Sequence, residues 1–167
     1  NLDHMTVFVV VPADIVSGRI SQYFKQGWRM TSFGNANIDL VNVADYEVPQ
    51  QFGPHSIRMA RSGGDGTNRS YLGYYQSNLR VSSLEEIAWS QYSKTGTDSY
   101  LNIFIRNNSF PWRTATIVYH PTRPTKQWTN HTLNADTTTN LYVRRNGEEH
   151  MSFSQLQSEY GDWYIEN

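Results

Sequence analysis

From Ser56 to Arg106, apolar and polar residues alternate in four successive runs, the period-two pattern of strands with one face in a core. Ser56-Ile57-Arg58-Met59-Ala60-Arg61 opens the series, Tyr71 to Tyr75 and Ile87 to Ser93 continue it, and Tyr100 to Arg106 alternates most cleanly. In that last run Leu101, Ile103 and Ile105 are expected to face the core, which leaves Tyr100, Asn102, Phe104 and Arg106 to face away.

Turn-forming residues divide the rest of the chain. Thr6 to Val11 is a β-branched run stopped by Pro12, which cannot donate to a ladder. Gly27 to Phe33 and Asn37 to Val43 read as strands on either side of Gly34-Asn35, and the Gly-rich stretch Ser62 to Asn68 reads as a loop. Arg113 to His120 is a further β-branched strand ended by Pro121 and Pro124, and Asn140 to Arg145 runs into the tight-turn dipeptide Asn146-Gly147. The pattern breaks at Ser152-Phe153-Ser154-Gln155, a helix capping box. A short helix is expected there, ending at Gly161, with a last strand over Asp162 to Glu166.

Eight to ten strands separated by turn signals predict an all-β fold, a two-sheet antiparallel jelly-roll sandwich with one short helix near the C-terminus. The length of 167 residues suits one core. His4-Met5 looks like a cloning junction, so residues 1–5 are set aside as its remnant and 6–167 are read as a single β-sandwich domain of a larger parent protein.

Composition narrows the function classes. Charged residues make up 17% of the chain and the formal net charge is -1, so no global field recruits nucleic acid or an acidic membrane surface. No apolar stretch has the length of a membrane-spanning segment, so membrane insertion is not expected. The absence of Cys excludes disulfides, thiolate zinc sites and thiol catalysis. Aromatic residues reach 14%, beside many Ser, Thr, Asn and Gln, which favours strands with polar but uncharged surfaces. Three glycosylation-acceptor triplets, beginning at Asn68, Asn107 and Asn130, are of the kind an Asn- and Ser-rich chain produces by chance.

A resemblance is carried by Gly53-x-x-Ser56-Ile57-Arg58-Met59, Tyr71-Leu72-Gly73-Tyr74, Ser83-Leu84-x-x-Ile87-x-Trp89-Ser90-x-Tyr92 and Leu101-Asn102-Ile103. In this order they resemble a β-sandwich module of large secreted and surface proteins, similar in architecture to carbohydrate-binding modules and laminin-G-like domains. Trp128 and the segment Phe153 to Tyr160 sit where such modules carry a Trp and a short helix, and the likeness extends over residues 27–165. It implies a sandwich fold and an extracellular or cell- or particle-surface setting more than any particular ligand.

The chemistry follows from the face left outside the core. Arg58, Trp89, Gln91, Tyr100, Asn102 and Arg106 are expected to share one outer sheet face. Aromatic planes, amides and guanidiniums match the apolar C–H faces and hydroxyl fringe of a sugar. The alternative is a sheet covered by ordinary amphipathic residues, a loop or a neighbouring domain. Asp65, in a Gly-rich loop, is the one candidate ligand for a structural Ca²⁺, although its spacing matches no EF-hand. No other cofactor is expected. The five His residues are scattered, which argues against zinc.

The adjacent pairs Glu85-Glu86 and Glu148-Glu149 point to opposite strand faces, so neither pair flanks a glycosidic bond. Tyr23 to Gly27 resembles a strand motif of alginate-type lyases but lacks the companion Gln-x-His, and Lys25 reads as a surface residue. The leading expectation is therefore a non-catalytic module that recognises a polysaccharide or glycan. A structural or adhesive module that packs against neighbouring domains comes second, and a polysaccharide lyase or glycosidase third.

Overall fold

The computed structural model describes residues 4–10, 28–33, 36–42, 55–62, 69–74, 79–93, 100–109, 113–122 and 124–166. In chain order these form β1 (His4–Val10), β2 (Trp28–Phe33), β3 (Ala36–Asn42), β4 (His55–Ser62), β5 (Arg69–Tyr74) and β6 (Leu79–Arg80). After a 3-10 turn at Val81–Ser83 come β7 (Ile87–Ser93), β8 (Leu101–Asn107), β9 (Arg113–Tyr119), β10 (Trp128–Leu133), β11 (Leu141–Arg144) and β12 (Glu148–His150). Helix α1 (Phe153–Tyr160) and β13 (Tyr164–Ile165) complete the order.

The strands are mostly antiparallel and form one five-stranded sheet, β10-β7-β1-β4-β3, and one six-stranded sheet, β12-β11-β9-β8-β13-β6. A separate ribbon pairs β2 with β5. Among the described residues neither sheet closes on itself. The chain divides into two compact units, one of Asn1–Tyr74, Trp89–Asp98 and Arg123–His131, the other of Tyr75–Ala88, Ser99–Thr122 and Thr132–Asn167.

In the first unit β1 is the middle strand, pairing β7 on one side and β4 on the other, and β4 in turn pairs the edge strand β3. β1 begins at His4, two residues before the expected strand start, and His4 and Met5 pair Ser62 and Arg61.

The second unit shows why its alternation is so clean. Leu101, Ile103 and Ile105 on β8 lie opposite Tyr119, Ile117 and Ala115 on β9, and β11 continues two of these rows with Leu141 and Val143. Ile105, Ile117, Leu141 and Val143 are at most 1% exposed, so one face of this sheet is a continuous apolar floor. At about 25 cal/mol per Å² of apolar surface removed from water, such a floor is the main stabilising term of the unit.

Helix α1 buries Phe153, Leu156 and Tyr160, one stripe at helical spacing. The Ser152 hydroxyl accepts a hydrogen bond from the Gln155 amide at 3.1 Å, as the capping box predicts. The Gln157 side-chain amide donates to the carbonyls of Val81 and Leu84, which ties the helix to the 3-10 turn. Gly161 follows the helix, but its φ of -55° is right-handed, so it is not the left-handed cap expected of a terminal glycine. Its role is space, since a Cβ there would clash with the Gln157 carbonyl oxygen.

Three strands escaped the sequence reading. β10 carries buried His131 beside Leu133, so its inward positions do not read as an apolar alternation. β12 is Glu-Glu-His, with no apolar residue to mark a strand, and β6 has only two residues. The expected start of β11 at Asn140 moves to Leu141, because Asn140 adopts φ 60°, a left-handed conformation that Asn tolerates in turns.

Candidate functional site

The six expected site residues do not share one sheet. Arg58 on β4, with Trp89 and Gln91 on β7, belongs to the five-stranded sheet, whereas Asn102 and Arg106 on β8, with Tyr100 just before it, belong to the six-stranded sheet. Sequence order made β7 and β8 look like neighbours, but hydrogen bonding seats β7 between β1 and β10, and β8 between β9 and β13.

Within the first unit, Arg58 has its backbone opposite Phe8 and Asp39. The Trp89 indole N–H donates to Gln91 Oε1 at 2.9 Å, and its ring lies 5.3 Å from His131. Gln91 is only 3% exposed, which corrects its expected place on an open face. Trp89, Gln91 and His131 are a packed cluster, not a platform. Trp128 is half-buried on β10 with its ring 5.8 Å from Tyr92. Asp65 lies outside the described residues, as does Lys25. Among the described residues no group of three metal-ligating side chains occurs, and no helix is long and apolar enough to cross a membrane.

The outer face of the six-stranded sheet carries the better candidate. Register places Phe104 opposite Thr116, which is opposite Arg144, which is opposite Glu148. A parallel row runs Arg80, Tyr164, Arg106 and Thr114, and a third runs Asn102, Val118, Tyr142 and His150. Alternation puts all twelve on the face opposite the apolar floor.

Phe104 is 43% exposed at the centre of this face, a large ring that the alternation predicts to point outward but that was not nominated for a site. It lines an open depression of about 820 Å³ together with Thr114, Thr116, Arg144, Arg145 and Glu166. The Glu166 amide donates to the Phe104 carbonyl at 2.8 Å, which holds the end of the chain against the strand. Its carboxylate meets Arg106 Nε at 3.0 Å. Tyr142 accepts from Arg144 and Tyr164 from Arg80, so both phenols are pinned by guanidiniums, while Phe104 has a face open to solvent.

Around one apolar ring the site therefore presents guanidinium donors, a carboxylate acceptor and two hydroxyls that both donate and accept. Tyr100, also 43% exposed, extends the face by stacking on His120 at 5.2 Å with the planes 22° apart. Asn102 is half-buried with its Oδ1 unsatisfied, and belongs to the packed end of the face rather than its open centre. Arg144, Glu166, Thr114 and Thr116 were missed because their partners lie on other strands. The only sequence signal for them is the local alternation in Thr114-Ala115-Thr116 and Tyr142-Val143-Arg144.

Comparison with protein-family models, with curated proteins and with solved structures gives no match to this chain.

Proposed function

We propose that this chain is a non-catalytic recognition module that binds a polysaccharide or glycan through the outer face of its six-stranded sheet, in an extracellular or surface setting. The observation that carries the reading is Phe104, an exposed ring in an open depression rimmed by donors and acceptors of both kinds. A pyranose can lay its C–H face on the ring while its ring hydroxyls reach Arg144, Glu166 and the threonines. A jelly-roll topology belongs to the same reading, supported by antiparallel sheets in which β1 lies between β4 and β7, and β8 between β9 and β13.

Assembly through sheet edges is less favoured on this unit. Its edge strands are the two-residue β6 and the charged β12, both poor templates for pairing with another chain.

Affinity electrophoresis through gels containing polysaccharides tests the reading, with Phe104→Ala as the decisive variant. Retention of the wild type should weaken by about tenfold or more, equivalent to about 1.4 kcal/mol, with the fold intact by circular dichroism. A wild type that no glycan retains, or a Phe104→Ala protein retained as strongly as the wild type, refutes it.

A further inference from the structure

We infer that the ligand of this face is a neutral polysaccharide, one that carries neither uronate nor sulfate groups. The inference rests on the recognition reading above and adds the charge class of the ligand. Its basis is that the guanidiniums on the three cross-strand rows come with their own carboxylates. Arg106 Nε is 3.0 Å from Glu166, Arg80 Nη1 is 3.6 Å from Asp162, and Arg144 Nη2 is 3.8 Å from Glu148. Arg145, at the rim, sits over the Trp163 ring at 5.7 Å.

With Asp162, Glu166 and Glu148 counted beside Arg80, Arg106 and Arg144 these three pairs carry no net charge, Arg145 adds a single positive charge at the rim, and the whole chain carries only -1, so a polyanion meets little attractive field at a distance. At contact it meets the Glu166 carboxylate in the depression itself, and Glu148 beside Arg144. A neutral sugar has no such conflict. Its hydroxyls donate to the carboxylates and accept from the guanidiniums without breaking either pair. The exposed ring supplies the remaining contact, and that contact does not depend on salt.

The test compares retention of the full chain in gels of neutral glycans (xylan, mannan, a mixed-linkage β-glucan) with gels of polygalacturonate and a sulfated galactan, at low and high salt. At least one neutral glycan should retain the protein about tenfold more strongly than either polyanion, with little change between about 0.02 and 0.5 M salt. The double variant Glu148→Gln, Glu166→Gln should gain salt-sensitive retention by the polyanions, because it uncovers Arg144 and Arg106. Preferential, salt-sensitive binding of polyanions by the wild type overturns the inference while leaving glycan recognition standing. Failure of every glycan removes both.

Discussion

At the scale of single residues, two tyrosines report the dryness of the second unit's core. Burial raises the pKa of the Tyr119 phenol above its ordinary value. Burial does the same at Tyr160, reinforced by the charge of Glu149 and by the hydrogen bond the phenol donates to it, and partly opposed by Arg145. A raised phenol pKa means that the fold holds the proton more tightly than the unfolded chain does. The resulting stability is full below about pH 10, where both states are protonated, and falls as pH rises through the shifted values. Urea midpoints measured from pH 8 to 11.5 should drop at the alkaline end, and Tyr160→Phe should flatten that drop. An equally steep drop in the variant refutes the assignment.

At the scale of elements, α1 is the sharpest case. With eight residues it is too short to be stable alone, so its cap and its docking decide whether it forms. Ser152→Ala removes the acceptor for the Gln155 amide and should cost about 1 kcal/mol in chemical denaturation. Gly161→Ala drives a methyl against the Gln157 carbonyl and should cost about 1–3 kcal/mol, although alanine is the better helix former. A neutral or stabilising Gly161→Ala would show that the close approach relaxes without strain. The β12 edge supplies another expectation. Replacing Glu148 and Glu149 by Thr removes the charges that discourage edge pairing and should promote self-association visible in size-exclusion chromatography. A variant that stays at the wild-type elution volume at high concentration contradicts that role.

At the scale of the second unit as a whole, the protected centre is the middle of the six-stranded sheet. β8 and β9 each have a paired strand on both sides and bury Ile103, Ile105, Ile117 and Val118 at 4% exposure or less. Hydrogen exchange should therefore be slowest in peptides covering 101–107 and 113–119, and fastest at β6 and β12 within that sheet. Protection concentrated at the edges instead would contradict the strand order.

The alternation itself determined much of this protein. Most strands, the helix and its Ser152 cap were legible because side-chain period and capping chemistry act over a few residues, and the inward Ile103 and Ile105 followed from the same rule. Where burial was served by His131, or a strand carried no apolar residue as in β12, the local signal was missing. The site depended on tertiary structure for a different reason. Which strands become neighbours is settled by long-range hydrogen bonding, and it parted Trp89 and Gln91 from Tyr100 and Arg106. The same pairing brought Thr116 and Arg144 into line with Phe104, and the chain's return through β13 set Glu166 beside that ring. The sequence by itself determined that an aromatic and polar outer face exists, because alternation is local. Only the tertiary structure decided which residues share it, because sheet order is not.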